Sequence, residues 1–318
     1  MARNPIKVNN VLWQDYLSAQ RRSLPPLDDV SEITGRVSRV LGGNPGEMQL
    51  QGTNTYLVGT GTSRILIDTG EGKPLWAKNI KAVLEDNKLD IAYVLLTHWH
   101  GDHTGGVSDL ITYRPELASR VFKNTPDPGQ QPIVDGQVFR VEGATIRAVF
   151  TPGHAVDHMC FQLEEENALF TGDNVLGHGY SVEEDLGAYM RSLYRMSGLG
   201  CAVGYPAHGA EIADLPQKIL RYLRHKELRE TQVWNALVEN RQREGGAGMA
   251  AGSLTVRELV EVLHGDALTQ ELSKVALEPF VTQVLWKLAE DRRVGFRVVK
   301  GTRRWFSSHK TVVPTAAA

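Results

Sequence analysis

The chain has 318 residues, of which 42% are hydrophobic and 23% charged, with a formal net charge of −2. That length predicts a large domain plus a smaller second unit. The composition is that of a globular chain and offers no run of eighteen or more apolar residues for a membrane helix, while the near-neutral balance gives no global footprint for nucleic acid or an anionic membrane.

Residues 1–10 mix Arg3, Lys7, three Asn and a Pro and lack the apolar core of a secretory signal, so a cytoplasmic location is expected. Helix-like apolar spacing over 11–20 is stopped at Pro25-Pro26, because paired prolines cannot continue a helix. Residues 1–30 therefore read as an N-terminal arm. From Val37 come short apolar runs closed by Gly-rich turns (VSRVLGG, TYLVGTG, RILIDTG), the pattern of successive antiparallel strands. Residues 75–87 carry apolar side chains at three- and four-residue spacing and predict an amphipathic helix, followed by a buried strand over 91–96. Further strands are predicted over 137–141, 145–150, 159–163, 168–171 and 202–205, with helices over 186–196 and 216–242. The catalytic domain is placed at 31–243, with two mixed sheets covered by helices.

The Gly/Ala-rich stretch 244–252 reads as a linker and 253–318 as a second module. A helix after a Ser/Thr start at 254–259, another near Glu271, a third over 280–292 and a hairpin over 294–306 turned at Lys300-Gly301-Thr302 suggest a winged-helix-like unit. Arg292, Arg293, Arg297, Lys300, Arg303 and Arg304 make its hairpin basic, which raises a nucleic-acid role. The neutral overall charge favours a packing or dimerisation module, and a homodimer stays open. The two cysteines, Cys160 and Cys201, form no Cys-x-x-Cys pair and read as small buried hydrophobes.

The apolar run IAYVLL ends in Thr97-His98-Trp99-His100-Gly101-Asp102-His103, which delivers four metal-capable side chains within six residues. Neutral imidazoles and a carboxylate suit Zn²⁺ and similar ions, and a cation offsets their crowding on one loop. One loop cannot close two coordination spheres. Three further candidates follow apolar runs and turns: His154 in Thr-Pro-Gly-His, Asp173 in Phe-Thr-Gly-Asp and His208 in Tyr-Pro-Ala-His. Loops at the edge of a rigid scaffold are where such a site is built.

With those residues in view, the chain resembles the metallo-β-lactamase superfamily, whose signature is His-x-His-x-Asp-His followed by a distant His, an Asp and a final His. The resemblance implies an α/β fold, the αββα sandwich. It implies His98, His100 and His154 on one metal, Asp102, His103 and His208 on a second, and Asp173 bridging them. It also implies that Asp68, in Ile-Leu-Ile-Asp68-Thr-Gly, supports the metal loop through hydrogen bonds. His158, four residues past His154, could orient ligands or cap a strand start. His178, His225, His264 and His309 read as structural.

Residues 41–61 and 164–178 further resemble thioesterases and lactamase-like proteins of fungal aromatic polyketide clusters, the atrochrysone carboxyl acyl-carrier-protein thioesterases among them. This implies release of a polyketide thioester from the acyl-carrier-protein domain of a non-reducing polyketide synthase, with no nucleic acid and no membrane as partner. Two metals sharing a water suit attack on a thioester, since a thiol of pKa about 8.5 leaves without strong protonation. Asp102 reads both as ligand and as proton donor or acceptor. Zn²⁺ is the default ion, with Mn²⁺ or Fe²⁺ compatible with the same ligands. A lactamase-like endoribonuclease acting on single-stranded RNA is the alternative, because the same chemistry fits phosphodiesters. Leu186, Tyr189, Met190, Leu193, Tyr194 and Met196 form a stripe that either lines a pocket for a flat polyphenol or packs the core.

Overall fold

The computed structural model describes residues 24–243, 252–265, 274 and 277–308. The predicted helices at 11–20 and near Glu271, residues 244–251 of the predicted linker, and His309 lie outside them. The described residues fall into two compact units, one up to Leu223 and one from Arg224 onward, a division inside the helix Leu215–Arg243 and ahead of the expected linker.

In the first unit, seven strands make one sheet in sequence order: β1 (Val30–Glu32), β2 (Val37–Leu41), β3 (Asn54–Val58), β4 (Ser63–Ile67), β5 (Asp90–Leu95), β6 (Val121–Lys123) and β7 (Gln131–Pro132). Five make the second, in the order β12 (Val203–Pro206), β11 (Ala168–Gly172), β10 (Met159–Leu163), β9 (Ala144–Phe150) and β8 (Val138–Val141). Strand alternation explains how the layers close, because successive side chains point to opposite faces. Tyr56, Val58, Ile65 and Ile67 join Phe139, Ile146, Phe161 and Phe170 in one buried cluster between the sheets. Leu57 and Leu66, out of phase with them, join Trp76, Ile80 and Leu84 of helix α1 (Pro74–Asp86) in another. The indole of Trp76 donates to Thr55 Oγ1 at 2.9 Å, so this large side chain is buried with its polar atom satisfied.

The parallel pairs matter most for function. β4 runs parallel to β5, and β11 parallel to β12; β9 and β11 share a direction, since each is antiparallel to β10. The carboxyl ends of β4 and β5 thus lie at one edge of their sheet, and those of β9, β11 and β12 at one edge of theirs. Met159 N donates to Thr97 O at 2.8 Å and Asn54 N to Ala207 O at 2.6 Å, joining the two sheets beside these ends.

In the second unit, helix α6 (Val256–His264) opens with a capping box between Thr255 and Glu258, the signal that the Ser/Thr start predicted. Helix α7 (Glu278–Glu290) and the hairpin of β13 (Val294–Val299) and β14 (Thr302–Ser307) complete the described part. The hairpin's arginines have partners within this unit. Arg304 pairs with Glu258 at 2.9 Å and donates to Ser253 O, Arg297 donates to Ser253 Oγ, and Arg303 lies over the rings of Trp286 and Phe296. Among the described residues, no helix is long and apolar enough to cross a membrane.

Candidate metal centre

Each predicted ligand follows the carboxyl end of a strand. His98, His100, Asp102 and His103 come after β5, the last two on the short helix α2 (Gly101–Thr104); His154 follows β9, Asp173 follows β11 and His208 follows β12. The folded chain brings all seven together in two groups, His98, His100, His154 and Asp173 in one and Asp102, His103 and His208 in the other, with ligand atoms in each group within 4.8 Å of one another.

In the first group, His98 Nε2 lies 2.9 Å and His154 Nε2 3.1 Å from His100 Nδ1. Nitrogens sharing a tetrahedral ion at ordinary Zn–N bond lengths stand about 3.3 Å apart. In the second, His208 Nε2 is 3.4 Å and His103 Nε2 3.6 Å from Asp102 Oδ2. Asp173 reaches both groups, with Oδ2 3.5 Å from His154 Nε2 and Oδ1 3.3 Å from His208 Nε2.

The far nitrogens of His98, His103 and His154 are held by the protein, which selects their tautomers. Asp68 follows β4 in a left-handed conformation (φ 58°), and its carboxylate accepts from Thr97 N at 2.8 Å, from Thr97 Oγ1 and from His103 Nδ1 at 2.8 Å. In its neutral form His103 therefore carries its proton on Nδ1 and presents a lone pair at Nε2. Because the Thr97 hydroxyl donates to Asp68, its oxygen accepts from His98 Nδ1 at 3.0 Å, and the same selection passes to His98. His154 Nδ1 donates to Val182 O at 2.8 Å. One buried carboxylate thus sets one imidazole in each group.

His158 has both ring nitrogens occupied: Nδ1 faces Thr151 Oγ1 at 3.0 Å, and Nε2 accepts from Asp173 N at 3.1 Å. That contact requires Gly172, since a Cβ there would sit 2.4 Å from His158 Nε2 and the residue has φ 51°.

His103 Nε2 and Asp173 Oδ1 are buried without a hydrogen-bond partner in the protein, although such groups are nearly always satisfied. The charge pattern points the same way. Burial works against a proton on His208, yet Asp173 and Asp102 outweigh it and push the imidazole up to about 9. Burial is likewise outweighed at His103 by Asp173 and Asp68, which raise it well above the ordinary imidazole value. Burial and the neighbouring His103 hold His98 well below that value. The carboxylates attract positive charge to the centre while other imidazoles stay neutral, so the donor set fits divalent cations.

The sequence profile described as the Metallo-beta-lactamase superfamily matches residues 49–208, half of the chain, and contains all seven side chains. The chain belongs to the metallo-β-lactamase superfamily. It is 64% identical over 297 residues to "Lactamase-like protein adaB" of Aspergillus niger, covering 93% of each chain. It is 58% identical over 294 residues to "Atrochrysone carboxyl ACP thioesterase" of Aspergillus chevalieri, covering 92% of this chain and 94% of that one. Among solved structures, a beta-lactamase domain protein from Burkholderia ambifaria has the same fold, with a TM-score of 0.71 at 16% identity over 90% of this chain and 95% of that one.

Around this superfamily centre the structure adds residues that spacing did not single out. Gln49 Nε2 reaches Asp102 Oδ2 at 3.4 Å, and Asp157 Oδ1 accepts from Trp99 N at 3.3 Å. Neither sits in the His/Asp pattern; Asp157 could have been found only as a charge beside His158. Of the stripe on helix α4 (Leu186–Gly198), Leu186, Tyr189, Met190, Leu193 and Met196 are buried, with Tyr189 Oη donating to Asn174 O, so as placed they pack the interior. Tyr194 alone of that stripe is open to solvent. Cys160 and Cys201 are both buried, and burial pushes the Cys160 thiol up to about 12.

Proposed function

We propose that this hydrolase of the metallo-β-lactamase superfamily is a dinuclear thioesterase. Its substrate is an aromatic polyketide held as a thioester on the acyl-carrier protein of a non-reducing polyketide synthase. What carries the reading is the convergence of the two ligand groups in a chain 58% identical, over nearly its whole length, to a protein named an ACP thioesterase. In this reading His98, His100 and His154 hold one cation, Asp102, His103 and His208 the other, and Asp173 spans both. Zn²⁺ is the ion of first choice for this imidazole-rich set, with Mn²⁺ and Fe²⁺ compatible. Asp68 and His158 orient the ligands.

Two bound divalent cations supply Lewis acidity and bring the pKa of a water near neutrality. The water oxygen bonds to the acyl carbon, the carbon–sulfur bond breaks, and the acid and the carrier thiol result. Asp102 moves the proton lost by the water to the departing sulfur, whose thiol pKa of about 8.5 makes this a small demand.

The test is incubation of the metal-replete protein with synthase-loaded carrier, followed by mass spectrometry of carrier and product. Free acid and unloaded carrier are expected, with two divalent ions per chain by elemental analysis. His100→Ala and Asp102→Ala are each expected to fall below about a hundredth of the native rate. A carrier left loaded by metal-replete protein sinks the reading.

A further inference from the structure

One side of the metal centre carries an apolar rim that the chemistry of hydrolysis does not use. Trp99, between two ligating histidines, is 50% exposed, and its ring stands edge-on to His100 with centroids 4.4 Å apart. Val156, two residues past His154, is 69% exposed, and Val182, whose carbonyl holds His154 Nδ1, is 56% exposed. The three belong together: His100 and His154 have ring centroids 4.9 Å apart, and Asp157, next to Val156, accepts from Trp99 N. Single exposed hydrophobes are ordinary on a protein surface. Here three sit on the segments that carry or hold one half of the centre, and patches so placed mark binding surfaces.

The Trp99 backbone is fixed on both sides by His98 and His100 and in the middle by Asp157, so the indole is presented on a preorganised loop. Asp157 is itself buried. Beside the second group the loop of Met48 and Gln49 offers one exposed apolar side chain, Met48. A thioester reaching the centre has two unlike arms: a flat acyl group, and a flexible amide-containing thiol arm. The wider and more rigid apolar surface suits the flat one, because an indole stacks with aromatic rings in offset or edge-on geometry.

We propose that Trp99, flanked by Val156 and Val182, is the platform for the aromatic acyl arm and sets the preference for aromatic over short aliphatic thioesters. This rests on the thioesterase reading for the identity of the substrate, while the platform itself is a statement about aromatic ligands. The experiment uses the metal-loaded full chain and its Trp99→Ala and Trp99→Phe variants. The probes are the 2-naphthoyl and acetyl thioesters of N-acetylcysteamine, together with the uncleavable naphthoyl and acetyl amides.

The naphthoyl-to-acetyl ratio of kcat/KM is expected to fall at least tenfold in Trp99→Ala, chiefly through KM, and to return to within threefold in Trp99→Phe. By calorimetry the naphthoyl amide is expected to bind Trp99→Ala at least tenfold more weakly, with metal content unchanged. An equal loss for both thioesters, or naphthoyl-amide affinity indifferent to Trp99, overturns the platform. Native protein that binds the naphthoyl amide through Trp99 yet cleaves neither thioester supports the platform and removes the thioesterase reading instead.

Discussion

Asp68→Asn isolates what one buried carboxylate does for both ligand groups. Asn tolerates the left-handed backbone at this position, so the substitution changes hydrogen-bonding character with little added strain. In the native chain both carboxylate oxygens accept: Oδ1 from Thr97 N, and Oδ2 from Thr97 Oγ1 and His103 Nδ1. An amide has only one such oxygen. If its NH₂ faces Thr97 N, two donors oppose each other in a buried place, at a cost of about 1–3 kcal/mol, or roughly 2–12 °C in Tm for a domain of this size. If the NH₂ faces His103, the ring must accept at Nδ1, and its proton moves to Nε2, the atom aimed at Asp102 and Asp173. In the second orientation a ligand nitrogen is compromised, and losses of this kind weaken metal binding by about 10- to 100-fold, or roughly 1.4–2.8 kcal/mol. Competition with a graded chelator, followed by elemental analysis, measures the affinity of each ion, and thermal unfolding reads the structural part. Unchanged affinity for both ions together with an unchanged Tm in the Asp68→Asn protein would refute the argument and leave Asp68 as a space-filling residue.

Metal-free protein is expected to lose stability as pH rises. His208 has a folded-state value of about 9 against 6.5 for the ordinary imidazole, so its contribution is complete below pH 6.5 and vanishes through pH 9; urea midpoints across that window check the sign, and a rising midpoint contradicts it. Gly172→Ala is expected to displace His158 from the Asp173 amide and to add left-handed strain. That predicts a destabilisation of about 1–3 kcal/mol by urea unfolding and weaker metal retention, whereas a native midpoint would show that the turn relaxes freely.

The gathering of the seven candidate ligands was readable because it is local in sequence: four share one loop, and the remaining three each close an apolar run. The strands were readable for the same reason, since β2 to β5 and β8 to β12 are short alternating or continuous apolar segments of ordinary length. β6 and β7 span three and two residues, too few to carry a period, and their pairing with β5 and with each other comes from the sheet. The α4 stripe could be read as core or as pocket, because helical spacing reports burial and cannot say whether a ligand or a neighbouring strand does the burying. The contribution of Asp157 depends on a contact across 58 residues, which no spacing rule contains.

The ligand set alone leaves phosphodiesters and thioesters nearly equal, so the surroundings must discriminate. A nucleic acid presents one negative charge per residue and is held by cations lining its path. Three of the six basic residues that made the hairpin look basic are engaged in their own unit: Arg304 with Glu258, Arg297 with Ser253, Arg303 on the aromatic rings of Trp286 and Phe296. Among the described residues of the first unit, the buried cations are likewise committed, Arg39 to Glu211 and Lys123 to Asp127. What the rim offers incoming ligand is the uncharged surface of Trp99, Val156 and Val182. An uncharged aromatic acyl group gains from that surface by stacking and dehydration, whereas a phosphate backbone laid across these three side chains would lose hydration against uncharged groups. In the thioesterase reading, the preference for an aromatic acyl group therefore lies in the loops around the candidate ligands, and replacing Trp99 is where it is measured.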